Sequence, residues 1–315
     1  MKINDAMANF VASKLDIPNT IKNWFPEYVE DGMVKCPYHD DQNASLHISK
    51  DGKALCHGCG WKATNIIDLY AKMQDLTYLD ARRQLYDEVV DAVPASVYVT
   101  FWKRLITHTK GLDYLMGRGI RSVTKDQFHL GFDPHTKRIT VPIFDQFMSC
   151  VNVRMIAFDK SRDSKHKALN MKGHGEVRLY PEWLAVNEDK LLLVEGEWDC
   201  LIGRQLDLPT VTWTGGANAW NAEYAWLFKG KNVMVLYDTD EAGAEGSKHV
   251  CKMLGPVANE VREMRVEVRG KEAKDLNDWY LRNPVVVRDI VEKFHEWNPV
   301  MKQQGHVCPA CGREL

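Results

Sequence analysis

Two short runs constrain the fold most: Leu191–Val194 (LLLV) and Val233–Leu236 (VMVL) are apolar throughout, with no polar residue on either face. A strand of that kind is buried on both sides, which points to a parallel sheet covered by helices. Each run stops in acid, with Glu195 after the first and Asp238 and Asp240 after the second. In open α/β sheets ligands lie beyond the carboxyl ends of the strands, so these acids are expected to meet in one crevice. Carboxylates gathered there resist ionisation unless a cation joins them. Such oxygen donors suit Mg²⁺ or Mn²⁺. Taken singly, each acid serves equally well as a cap for the helix that follows. Three at two strand ends favour a metal site.

A second constellation lies near the N-terminus. Cys36-Pro-Tyr-His39 is followed, after a sixteen-residue gap, by Cys56-His-Gly-Cys59. Two knuckles with ligands three residues apart bring three thiolates and an imidazole to a tetrahedral ion, the donor set of structural zinc. The intervening SLHISKDGKAL, Ser45 to Leu55, reads as a hairpin turning at Asp51-Gly52, which completes a zinc ribbon. The tail carries one further knuckle, Cys308-Pro-Ala-Cys311, with His306 beside it. That supplies at most three ligands of a second site and no visible fourth, so one structural zinc is expected.

Of 315 residues, 45% are apolar and 27% charged, values ordinary for a globular protein with two or three domains. No apolar run approaches the eighteen residues of a membrane span, and the N-terminus lacks a signal-peptide core, so a cytosolic protein with no membrane partner is expected. The net charge of −2 hides a segregation, because residues 101–178 carry 15 Lys and Arg against 7 Asp and Glu, a local net of +8. A basic segment beside an acidic crevice suits nucleic acid, and a solvated basic face explains it nearly as well.

These residues carry a family resemblance. EGEWD (Glu195–Asp199), DTDEAG (Asp238–Gly243) and KDLND (Lys274–Asp278) resemble the TOPRIM core of DnaG-type primases, a fold shared with topoisomerases and some nucleases. CPYHDDQNASLHI and LCHGCGWKATNIIDLYAKM resemble the Cys-His-Cys-Cys zinc domain of the same family, and YLMGRGI leading to a VPIFD strand resembles the segment between. Bacterial primases usually have a second acid where this chain has Asn277, and the Asn version is closer to the primase half of phage primase-helicases. The resemblance implies a multidomain α/β protein with an N-terminal zinc ribbon (1–93), the basic half of an RNA-polymerase-type core (97–190), a TOPRIM domain (191–285) and a C-terminal helix and tail (286–315).

It further implies a DNA-dependent RNA primase, phage-encoded, working on single-stranded DNA and ribonucleoside triphosphates. Glu195, Asp238 and Asp240 would be catalytic and hold Mg²⁺ or Mn²⁺, with Asp275 as a further metal-side acid and the roles of Asn277 and Asp278 open. Arg154, Lys165, Lys167 and Lys274 would face nucleotide phosphates or template, as would Lys50 and Lys53, with His47 and Trp61, on the ribbon. No GxxxxGK[ST] occurs in the chain, which leaves helicase action to a separate partner. Two rivals use the same features: a TOPRIM nuclease, and a catalytically silent DNA-binding module such as a helicase loader.

Overall fold

A computed structural model of the chain describes residues 10–29, 32–158, 167–216, 218–266 and 273–299. Lys165, His306, Cys308 and Cys311 lie outside the described residues. The chain divides into two compact units, Met1–Asp91 and Ala92–Leu315. Among the described residues no helix is long and apolar enough to cross a membrane.

The first unit is built on a four-stranded antiparallel sheet in the order β1-β2-β3-β4, with β1 at Gly32–Val34, β2 at Leu46–Ile48, β3 at Ala54–Cys56 and β4 at Lys62–Ala63. The β2–β3 hairpin turns where the sequence predicts, and Gly52 takes a φ of +78°, with Ile66 so close that a side chain there would collide with it. Helices Ile66–Met73 and Tyr78–Val89 follow, capped by Asn65 and Thr77. The helix that includes residues 10–14 breaks at Leu15–Asp16, and Pro18 stands in the first turn of the next, Ile17–Trp24, where a missing N–H costs nothing, behind the Asp16 cap.

The ribbon's two knuckles converge. Cys36 Sγ is 3.8 Å from Cys59 Sγ, and Cys56 Sγ is 3.9 Å from His39 Nδ1. Zinc–sulfur bonds of about 2.3 Å in a tetrahedron separate neighbouring donors by about 3.8 Å, so the residues fit the ion. The surroundings orient them as well. Cys56 Sγ accepts from the N–H groups of Gly58 and Cys59, both at 3.3 Å. Asp41 accepts from the Cys36 N–H at 2.8 Å and from Ser45 Oγ at 2.7 Å, and its other oxygen lies 3.6 Å from His39 Nε2. A carboxylate behind the distal imidazole nitrogen fixes the ring with Nδ1 turned to the metal.

In the second unit β5 (Gly131–Asp133), β6 (Arg138–Phe144), β7 (Cys150–Ile156) and β8 (Ala168–Asn170) form an antiparallel sheet in that order. Every residue of β6 is buried, and one core cluster joins Phe144, Cys150, Val153 and Met155 to Val93. Three helices precede it, Ala95–Ile106, Thr109–Gly117 and Ser122–Gln127, the first two where the apolar spacing suggests one running from Trp102 to Met116. The break falls at His108, whose Nδ1 accepts the Gly111 N–H at 3.0 Å and so starts the second helix.

The five-stranded sheet runs β13-β12-β10-β11-β9, with β9 at Leu179–Tyr180, β10 at Lys190–Val194, β11 at Thr210–Trp213, β12 at Asn232–Leu236 and β13 at Glu260–Glu263. The last four are parallel and β9 pairs antiparallel at the edge. From β10 the chain first goes outward to β11, then returns to place β12 on β10's other side. The strand order therefore reverses between β10 and β12, the position where such sheets open a crevice. Val194 pairs with Leu236, so the two strand ends are level. The helices Leu276–Arg282 and Pro284–Glu296 close the unit, divided at Asn283 where a single terminal helix is expected from sequence. Lys190 Nζ ties the second to the sheet by donating to the carbonyls of Phe294 at 2.9 Å and Trp297 at 2.7 Å.

Because the two units have separate cores, zinc removal is expected to melt only the first. Structural zinc contributes about 10–16 kcal/mol in comparable small domains. Cys59→Ser, or chelation of the wild type, should abolish amide-exchange protection over residues 36–60 and leave the β10–β12 amides protected. Simultaneous loss of both would show that the units fold as one.

Candidate active site

Three carboxylates converge beyond the level ends of β10 and β12. Asp199, Asp238 and Asp275 each place an oxygen within 4.8 Å of the others. Asp238 follows β12, Asp199 lies in the first turn of helix Glu197–Gln205, and Asp275 caps helix Leu276–Arg282. Gly243 lets the helix after β12 start tight against that strand end, since a side chain there would overlap the Asp238 carbonyl.

The expected acids divide around Asp238. Asp275 joins it in the cluster, but Asp240 does not; its Oδ1 caps the following helix by accepting the Gly243 N–H at 2.9 Å, and its Oδ2 takes Lys274 Nζ at 2.8 Å. Glu195 reaches across from β10 to accept the Asp238 N–H at 3.4 Å. Asp199 was not anticipated. In sequence it looks like one more acid in a first helical turn, favoured there by the helix dipole. The available signal was its spacing, four residues after Glu195 on the same strand-to-helix turn.

The surroundings hold these groups in place. Asp199 is buried and Oδ1 accepts the Asn277 N–H at 2.9 Å. Asn277, also buried, donates Nδ2 to the Arg118 carbonyl at 2.7 Å and accepts Arg118 Nη1 at 2.9 Å. Arg118 caps helix Thr109–Gly117 and lies over the rings of Tyr114 and Trp198. An acid in place of Asn277 could not donate to that carbonyl while ionised, which accounts for the amide at this position. Asp278 supplies its N–H to the Asp275 cap at 2.7 Å.

Burial and mutual repulsion weaken the acidity of the cluster. Burial, then the Asp275 carboxylate, raise Asp199 well above the ordinary carboxylate range, and burial likewise raises Asp275 and Asp238. Burial and the Asp238 carboxylate push Glu195 up to about 7. Lys274 has the opposite effect on Asp240, whose carboxyl is held below the usual range. A group of oxygen donors that are hard to ionise together is what a divalent cation relieves, so the residues fit Mg²⁺ or Mn²⁺.

The basic residues are placed less uniformly. Arg154, on β7, is enclosed: Nε donates to Glu197 at 2.8 Å, Nη1 donates to Asn170 at 3.1 Å, and only 12% of the side chain is exposed. A buried pair of this kind is costly to break, because the partner is left as an unpaired charge. Lys167 is exposed. In the ribbon unit Lys50 is exposed and Lys53 pairs with Asp51 at 2.6 Å, while Trp61 stacks on Tyr38 at 4.4 Å with Lys72 over its face.

The sign of the pH effect follows from the raised acids. A carboxyl with a folded pKa above its unfolded value contributes stability below the unfolded pKa and loses it as pH rises through the folded one. In metal-free protein Asp199→Asn, which keeps the acceptor for Asn277, should therefore gain stability relative to wild type as pH rises above the ordinary carboxylate range. Mn²⁺ at about a hundredfold its Kd should stabilise wild type by about 2.7 kcal/mol and the variant by much less. Calorimetric melts showing the wild type gaining on the variant as pH rises, without metal, would contradict the cluster's electrostatics.

Residues 3–98 match the CHC2 zinc finger family, the DnaG-type zinc ribbon. A DNA primase of Clostridium acetobutylicum is 22% identical over 351 residues, covering 89% of this chain and 55% of the primase. A DNA primase of Aquifex aeolicus is 24% identical over 280 residues, covering 70% of this chain and 56% of the primase. The chain thus spans little more than half the length of these relatives. Among solved structures, the zinc-binding and RNA polymerase domains of the Aquifex aeolicus primase align over 92% of this chain and 85% of that one, with a TM-score of 0.53 and 18% identity. In sequence and in fold the chain is similar to the DnaG-type DNA primases, with a CHC2 zinc ribbon followed by an α/β primase core.

Proposed function

We propose that the chain is a DNA-dependent RNA primase, which makes short RNA primers on single-stranded DNA by metal-dependent nucleotidyl transfer. The observation that carries this reading is the convergence of Asp199, Asp238 and Asp275 at the β10/β12 switch point, in a chain that also holds a zinc ribbon. In the reaction the 3′-hydroxyl of one ribonucleotide attacks the α-phosphate of the next and pyrophosphate leaves. Asp199, Asp238 and Asp275 would hold a divalent ion, which would supply charge stabilisation for the phosphoryl oxygens. Glu195, at about 7, can hold or release a proton near neutral pH beside Asp238. Arg118 and Asn277 keep Asp199 aimed at the cluster.

The regions 97–190 and 191–285 act as the basic half and the TOPRIM half of one polymerising core. Lys167 and Lys50 are exposed and so accessible to phosphates, whereas Arg154 holds Glu197 at the start of the helix that carries Asp199. Zinc orders the ribbon that reads the template. The amide at Asn277 in KDLND supports a phage-type enzyme, acting in the host cytoplasm with a separate replicative helicase.

Purified protein with single-stranded template, labelled ribonucleotides and Mg²⁺ or Mn²⁺ should yield short RNA on a sequencing gel. Asp238→Asn should lower the yield at least about a hundredfold, the scale seen when one charge-stabilising group is lost, with folding intact. Glu195→Gln should shift the pH profile. Cleavage of the template by wild type would favour a nuclease. Template binding without either product would favour the silent DNA-binding module.

A further inference from the structure

Lys274 Nζ lies 2.8 Å from Asp238 and 2.8 Å from Asp240, equidistant between one oxygen of each. The backbone of Lys274 is stitched to the same turn. The Thr239 N–H donates to the Lys274 carbonyl at 2.9 Å, and the Lys274 N–H approaches Asp278 Oδ2 at 3.5 Å. The root of the side chain is thus fixed against the DTD turn, while the side chain itself stays 50% exposed. An ammonium seated between two carboxylates takes the place of a ligated cation. Asp238 is shared between this pair and the Asp199–Asp238–Asp275 group. In the latter the nearby cation, Arg118, donates to Asn277 and Tyr114.

We propose that Lys274 is a tethered counter-ion, occupying the Asp238–Asp240 position in place of a divalent cation and leaving only when such an ion displaces it. The inference rests on reading these acids as metal ligands. It follows that two cation positions sharing Asp238 do not fill alike. The Asp199–Asp238–Asp275 position meets the lysine only through Asp238, whereas the Asp238–Asp240 position takes an ion only against an ammonium seated on both of its carboxylates. The covalent tether makes the lysine an effective competitor, because its local concentration is high and its backbone is already ordered. Its exposed stem gives it a route out to solvent. The same ammonium accounts for how Asp238 and Asp240 remain side by side before any ion arrives.

Mn²⁺ binding to the full chain, without nucleotide, tests this by calorimetry and by the spin resonance of free Mn²⁺. K274M should bind an ion at this position about tenfold or more tightly than wild type, a difference of about 1.4 kcal/mol or more. K274R, which keeps the charge, should bind no tighter than wild type. A second measurement needs no variant: acylation of Lys274 by an amine-reactive ester, followed by peptide mass spectrometry, should accelerate as Mn²⁺ is added. Equal isotherms for wild type and K274M, or acylation indifferent to Mn²⁺, would overturn the tethered counter-ion and leave the metal site standing. Absence of Mn²⁺ binding in every form would overturn both.

Discussion

The site depends on the pairing of β10 with β12. The two strands are distant in sequence, yet they lie in register with Val194 opposite Leu236, so the residues beyond them emerge at one level. Hydrophobic burial enforces that register, since Leu191–Val194 and Val233–Leu236 are nearly inaccessible on either face. What burial produces, electrostatics opposes. Aligning the strand ends brings Glu195 and Asp238 together, and the helix starts add Asp199 and Asp275. The protein tolerates this through backbone N–H donors, the Arg118–Asn277 couple and Lys274, each of which offsets part of the repulsion without removing a ligand.

The two units obtain their order by different means. The second has long buried strands and a continuous apolar core, as at Phe144, Cys150, Val153 and Met155. The ribbon's strands are two or three residues long, too short to fold on burial alone. Its order depends on four ligands brought within bonding range of one ion, with Asp41 behind His39. A metal would therefore have opposite roles in the two places, a fold determinant in the ribbon and, at the carboxylates, an occupant of a scaffold already complete.

Much of this was legible in the sequence where a pattern is local. The apolar runs, the knuckle spacing and the hairpin at Gly52 each depend on neighbouring residues, and each took the expected form. Contacts across long separations were not legible. Asp199 reads as a helix-start acid until the fold sets it beside Asp275, and Arg118 pairs with Asn277 across 159 residues. Arg154 reads as a free cation until Glu197 is seen to enclose it. The break at His108 is made by a side-chain cap rather than a glycine, whereas the one at Asn283 coincides with Pro284 at the start of the next helix. The capping reading of the acids also had substance, for Asp240 caps the helix that follows it, as Asp275 does.

The central claim is that these carboxylates form a divalent-cation site and not a set of caps alone. The most direct measurement is the anomalous scattering of Mn²⁺ in crystals of the full chain. The account predicts a peak coordinated by oxygens of Asp199, Asp238 and Asp275. A structure from Mn²⁺-saturated crystals with no peak within coordinating distance of Asp238 would contradict it.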